Sequence, residues 1–130
     1  MRMTGYVDED RRPLLRVELP DGNRILALID TGFDGSLSFA ENDAIACGVE
    51  IDNVYRREVF LAGLRRILVA PGLLTIRWMG RTIEVDVLVD VEDQHRTPTG
   101  EPVAVIGTRL LSPSALTVDF GGRTVVIEGT

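Results

Sequence analysis

The stretch Leu28-Ile29-Asp30-Thr31-Gly32 carries an apolar run straight into a carboxylate, a hydroxyl and a glycine. A carboxyl in that place either starts a turn, by accepting the next backbone N–H groups, or moves protons, as base when ionised and as acid when protonated. At average residue usage an Asp-Thr-Gly triplet arises by chance in only roughly a few per cent of chains this long. Downstream, Val105-Ile106-Gly107-Thr108-Arg109-Leu110-Leu111 brings a second apolar run into a glycine, followed by residues suited to a short helix. Between the two lies a glycine-tipped segment, Ala62-Gly63-Leu64.

Other chemistries lack their residues. All 14 basic side chains are arginine, so apart from the N-terminus no amine is available for Schiff-base formation. One cysteine, Cys47, and one histidine, His95, supply neither an internal disulfide nor a Cys/His zinc cage. His95 sits in a polar stretch with no nucleophile motif around the candidate serines. Asp30, Asp34 and Glu41 lack the alternating carboxylates and downstream glutamate of a calcium loop. Nothing in the sequence calls for a metal or cofactor. With 20 acidic residues against those arginines, the net charge of -6 repels phosphate backbones, which argues against nucleic-acid partners. The first ten residues have no apolar signal core, and no run approaches the roughly 20 apolar residues of a membrane helix. The expectation is a soluble protein without a membrane partner, and the single cysteine fits a reducing cytoplasm.

The elements that must position Asp30 read as strands. At 130 residues, 45% hydrophobic and 26% charged, the chain has the makings of one domain, residues 1–130, with its own core. Short β-branched runs recur about every ten residues between turn residues. Leu14–Leu19 and Arg24–Ile29 flank Pro20-Asp21-Gly22-Asn23, which predicts a hairpin. Further hairpins are predicted for Arg56–Leu61 with Arg66–Ala70, and for Leu73–Trp78 with Thr82–Val89 around Met79-Gly80-Arg81. The last pairs Leu116–Phe120 with Thr124–Glu128 around Gly121-Gly122, whose freedom at positive φ suits a tight reversal. Ser38 and Glu41 have the spacing of a capping box for a helix ending at Cys47, closed by Gly48. Thr108–Leu111 is one turn of helix at most, since Ser112 precedes a proline. Asp90–Pro102 reads as an exposed loop. Alternation with Leu74 and Ile76 puts Trp78 on a packed strand face, and Cys47 reads as a small buried hydrophobe. Ile25–Gly32 and Val103–Gly107 echo each other as apolar strands entering a glycine turn.

The order Asp-Thr-Gly loop, glycine-tipped hairpin, apolar-apolar-Gly element and short helix resembles the retropepsin-like family of aspartic proteases. Asp30-Thr31-Gly32-Phe33-Asp34-Gly35-Ser36-Leu37, with the helix behind it and its Gly48-Val49 exit, looks especially like bacterial members. The likeness spans about residues 14 to 128, and the first motif is its specific part. It implies an all-β, retropepsin-like closed barrel with one or two short helices, active as a homodimer. Asp30 is then the acid or base, the Thr31 hydroxyl bonds across the dimer, and Gly32 admits the substrate backbone. Phe33 and Asp34 fall beside the substrate, and Ala62, Gly63 and Leu64 form a flap over an extended peptide. Ile106 and Gly107 support the catalytic loop, with Arg109 the candidate ionic partner of Asp34. No second Asp-Thr-Gly or Asp-Ser-Gly occurs, so a second copy of the chain is the simplest source of the other carboxyl. In retroviral members the termini interleave between subunits, and Thr124–Glu128 is placed to do the same. The sequence also admits a catalytically silent dimeric protein- or peptide-binding module of the same fold.

Overall fold

The computed structural model describes residues 1–61 and 65–129. Among them the chain forms eleven strands and two short helices. The first strand, β1 (Arg2–Val7), leads through a turn into β2 (Pro13–Glu18) and β3 (Arg24–Ile29). Burial alternates along β3, with Ile25, Ala27 and Ile29 enclosed, while β2 buries Leu15 and Val17 and also the neighbouring Leu14; Val17 and Ala27 are fully enclosed. Their turn forms as predicted: Leu19 N–H donates to the Asn23 carbonyl at 2.7 Å and Gly22 adopts φ +89°.

Beyond the Asp30 loop come β4 (Leu37–Ala40), α1 (Glu41–Cys47), β5 (Glu50–Ile51), a 3-10 turn at Asn53–Tyr55 and β6 (Arg57–Leu61). The chain returns as β7 (Arg65–Trp78), β8 (Arg81–Asp90), β9 (Ala104–Ile106), α2 (Thr108–Leu111), β10 (Ala115–Asp119) and β11 (Thr124–Glu128). The sheet runs in the order β10-β11-β1-β2-β3-β9-β4-β8-β7-β5, with β6 paired to β7. One bridge, Glu18↔Arg77, also joins β2 to β7, so the strands from β2 to β7 return on themselves through a single residue pair. The two echoing segments are neighbours: β3 and β9 run parallel, with Ile29 opposite Ile106.

Several local expectations give way to long-range pairing. Ser38 does not cap a helix, because β4 holds it between Leu88 of β8 and Val105 of β9. The N-cap is Ala40 without a side-chain bond, and Glu41 N–H is satisfied instead by the Asp93 carbonyl at 3.0 Å. The other end follows prediction, with Gly48 left-handed at φ +83°. β7 continues through Pro71-Gly72, where a break was expected, because β8 pairs with it without interruption from Val69 to Trp78. The missing Pro71 donor is harmless at this exposed position, and its carbonyl accepts Asp52 N–H at 2.9 Å. Gly72 leaves room for β5, since a Cβ there would lie 2.8 Å from Val49 Cγ1.

In the last hairpin the positive φ falls on Arg123 (+55°) rather than on Gly121 or Gly122. Arg123 is held there by two bonds to Val7: its Nε donates to the Val7 carbonyl at 3.1 Å and its own carbonyl accepts Val7 N–H at 3.2 Å. Nor is β11 free to cross to another subunit as the retroviral likeness implied, because both its edges are taken within the chain, by β1 and β10.

The loop after β8 is exposed over most of its length, as expected, yet it is tied to α1. Thr97 N–H donates to Asp43 Oδ1 at 3.0 Å, the Thr97 hydroxyl donates to Oδ2, and Arg96 Nε lies 3.5 Å from the same carboxylate. Those partners make it possible for Asp43 to be only 3% exposed.

Candidate active site

Asp30 is the first residue beyond β3. Its N–H donates to the Ile106 carbonyl at 2.9 Å, extending the β3–β9 pairing by one bond, and Ile106 itself is fully buried. The backbone of Asp30 is therefore anchored in the core while its side chain is exposed. Carboxylate Oδ1 accepts Gly32 N–H at 2.8 Å, and the Asp30 carbonyl accepts Phe33 N–H at 3.1 Å. The chain turns sharply and the carboxyl is held by its own loop. Thr31 and Gly32 are exposed beside it.

The remainder of the loop is braced from behind by the β9–α2 junction. Gly107 N–H donates to Ser36 O at 3.0 Å, Thr108 N–H to Phe33 O at 2.8 Å, and Arg109 N–H to Gly35 O at 3.1 Å. The Thr108 hydroxyl adds a second, longer bond to Phe33 O at 3.3 Å. Such close approach requires glycine at 107: a Cβ would sit 2.2 Å from Gly35 O and 2.6 Å from Phe33 O. Its φ of -107° is ordinary, so proximity rather than torsion selects the residue. Gly35 is constrained similarly, since a Cβ there would lie 2.5 Å from Phe33 Cζ.

The half-buried Phe33 ring therefore lies against Gly35 and Gly107, filling space within the loop's own support. Asp34 is exposed, and among the described residues it forms no ion pair with Arg109, contrary to the expected partnership. Arg109 contributes its backbone N–H to the brace and also lines a cavity of about 480 Å³ together with Ser36, Trp78, Arg81 and Asp86. The predicted flap tip, Ala62, Gly63 and Leu64, lies outside the described residues. The strands leading to it pair up to Leu61↔Arg65, and an exposed ion pair joins Glu58 to Arg66 at 3.1 Å.

Asp30, Thr31, Gly32, Phe33 and Asp34 thus share one loop with Ile106, Gly107 and Arg109 immediately behind it. Sequence reading missed Ser36 and Thr108, which serve mainly through backbone atoms. The only signals were a second glycine before Ser36 and a hydroxyl at the first position of α2. Among the described residues no other carboxyl hydrogen-bonds to Asp30.

Comparison with solved structures identifies the architecture as retropepsin-like. A retropepsin-like aspartic protease from Rickettsia conorii aligns with a TM-score of 0.66 over 98% of this chain and 89% of that one, at 14% identity. The EIAV protease, complexed with the inhibitor HBY-793, aligns with a TM-score of 0.52 over 80% of this chain and 88% of that chain, at 22% identity. No protein-family model and no curated protein matches the sequence. Among the described residues no helix is long and apolar enough to cross a membrane.

Proposed function

We propose that this chain is one subunit of a homodimeric aspartic endopeptidase that hydrolyses peptide bonds with Asp30 from each copy. The observation that carries the reading is the placement of Asp30: an exposed carboxyl on a core-anchored backbone, fixed by Gly32 N–H at 2.8 Å. Amide hydrolysis needs a base to activate water and an acid to polarise the carbonyl, and one carboxyl cannot serve as both at once. Two carboxyls brought together by a two-fold axis share a proton, because close like charges disfavour double ionisation. The ionised member takes a proton from water as that water attacks, while the protonated member donates to the carbonyl oxygen. The tetrahedral intermediate then breaks its C–N bond as a proton passes to the leaving amine.

In this scheme Thr31 bonds across the axis to hold the two loops in register, and Gly32 leaves the substrate backbone room beside Asp30. Phe33 and Asp34 flank the peptide, and the segment 62–64 closes over it and excludes water. Ile106, Gly107 and Arg109 keep the loop in place. No cofactor is needed, and the partners are a second copy of the chain and an extended peptide.

The test is cleavage of an unbiased peptide mixture from acidic to neutral pH by the wild-type chain and Asp30→Asn, above and below the dimerisation concentration. Cleavage lost both in the variant and on dilution is the expected result. A verified dimer that cuts nothing in the mixture identifies a silent peptide-binding module instead.

A further inference from the structure

Resting on the reading above, we infer that the peptide taken by this site is acidic: Arg65, at the head of β7, binds the carboxylate of an aspartate or glutamate side chain close to the bond that is cut.

The positive charge of the chain is gathered on one hairpin. Residues 56–66 hold four arginines, Arg56, Arg57, Arg65 and Arg66, against the single acid Glu58. That is a net charge of +3 in a chain of net charge -6, so the other residues together carry -9. Charge divided in this way sets opposite fields on one molecule: an acidic ligand is repelled by the body and drawn to the hairpin. The catalytic loop cannot supply that attraction, because its own ionisable groups, the exposed Asp30 and Asp34, are carboxyls.

Two of the four arginines are already occupied. Arg56 Nη2 donates to Asn53 Oδ1 at 2.9 Å and lies 3.8 Å from Glu41. Arg66 pairs with Glu58 at 3.1 Å, and its guanidinium stands 5.6 Å from the centre of the Phe60 ring. Among the described residues Arg57 and Arg65 have no ionic partner.

The strand register divides the same residues by face. Glu58 opposite Leu68 and Phe60 opposite Arg66 share one face of the hairpin, and Phe60 there is 66% exposed. Arg57 opposite Val69, Val59 opposite Ile67, and Arg65 at the next pair towards the tip share the other. Ile67 and Val69 are buried, so this second face is the one that the hairpin turns towards the rest of the molecule. The satisfied arginine points away from the body, and the two without partners lie on the inward face. Arg65 directly follows the segment 62–64 that closes over the peptide in the proposed reaction, whereas Arg57 is four residues farther down the hairpin, about 13 Å away. Arg65 therefore makes the contact and Arg57 adds to the field. A guanidinium fork matches a carboxylate in two parallel hydrogen bonds, a match that an uncharged amide side chain cannot reproduce. Each copy of the chain brings one Arg65, so acidic residues are favoured on both sides of the cut.

The test uses two peptide libraries, N-acetylated and C-amidated, that differ only in holding Glu or Gln at every third position of otherwise randomised sequences. Initial cleavage rates at limiting substrate are compared for the wild-type dimer, Arg65→Gln, Arg65→Glu and Arg66→Gln. The expected result is a wild-type preference for the Glu library of about tenfold, lost in Arg65→Gln, turned below one in Arg65→Glu and kept in Arg66→Gln. A wild-type enzyme that cuts both libraries equally, a ratio that survives Arg65→Glu, or Arg65 variants that lose the same factor on both libraries each overturns the assignment. The Gln library with free C-termini separates the two sources of carboxylate: a gain there, with none from Glu, overturns recognition of a side chain. Binding of the same libraries to Asp30→Asn, with and without Arg65→Glu, keeps recognition apart from chemistry. If the wild type cuts neither library while Asp30→Asn binds the Glu library through Arg65, proteolysis is rejected and acidic recognition stands; if there is neither cutting nor charge-dependent binding, both fall.

Discussion

The backbone N–H of Asp30 donates to the carbonyl of Ile106 at 2.9 Å, so an exposed carboxyl is carried on the end of a parallel strand pair whose last residues, Ile29 and Ile106, are buried. That relationship separates position from chemistry. The place of the Asp30 backbone is set by β3 and β9, while the acid and its hydroxyl neighbour belong to solvent or to a second subunit. Variants on either side of the bond should therefore have different consequences.

Asp30→Asn is expected to remove peptide cleavage with little effect on folding. An amide can still accept Gly32 N–H, and the side chain is exposed, so stability should change by no more than about 0.5 kcal/mol. As an acid-base group in the proposed dyad, Asp30 should contribute roughly 10²- to 10⁴-fold to kcat. Parallel denaturation and cleavage assays check both halves; retained activity would remove Asp30 from the mechanism.

Gly107→Ala should show the opposite signature. The added methyl would lie 2.2 Å from Gly35 O and 2.6 Å from both Phe33 O and Cδ2, so the loop or α2 must move. Overpacking of this kind costs about 1–3 kcal/mol, and the displaced loop should lose activity with its own carboxyl intact. Gly32→Ala is the control, since there the nearest atom is Asp30 Oδ1 at 3.2 Å. Equal destabilisation of the two variants in urea would refute the bracing role given to Gly107.

The features legible in the sequence are those encoded locally. The β2–β3 and β7–β8 hairpins announce themselves by alternation and turn residues, and Asp30-Thr31-Gly32 by residue type. Ser38 and Glu41 carry an equally local helix signal, but Ser38 is captured by Leu88 and Val105, roughly 50 and 67 positions away, and a single-window reading cannot weigh such partners. β1 escaped notice for the same reason, since its partners extend to Glu128. At the site, Gly107 could be picked out because its side chain is missing. Ser36 and Thr108 could not, because they brace the loop largely through a carbonyl and an N–H that every residue possesses.

Asp43→Ala should loosen the loop over α1. The variant loses acceptors for both the N–H and hydroxyl of Thr97 at a site only 3% exposed, a cost of about 1–3 kcal/mol. Arg96→Ala should cost about 1 kcal/mol or less, because that side chain is 67% exposed and its ion pair is correspondingly screened. Hydrogen exchange at the Thr97 amide gives the direct readout: acceleration in the Asp43 variant and little change in the Arg96 variant. The reverse ranking would show that the ion pair, rather than the Thr97 bonds, holds the loop.

Asp8, in the turn between β1 and β2, should make stability depend on acid. Its Oδ1 accepts Arg12 N–H at 2.9 Å and Asp10 N–H at 3.0 Å, while Oδ2 accepts Arg12 Nε at 2.8 Å. The Arg12 backbone N–H is foremost in holding this carboxyl below the usual carboxylate range, partly opposed by desolvation and reinforced by the Arg12 side chain. Because the folded-state value is depressed, the contribution is complete above the unfolded carboxylate value and is lost as pH falls through the folded one. Asp8→Asn should therefore melt below wild type at neutral pH. The gap should begin to close as the pH drops below about 4, the ordinary aspartate value, and should reach its minimum once the wild-type carboxyl is protonated in both states. Thermal melts of the two proteins from pH 7 to pH 2 provide the check. A gap of constant size across that range would show that Asp8 supports the turn by shape and hydrogen bonding alone, with no contribution from its charge.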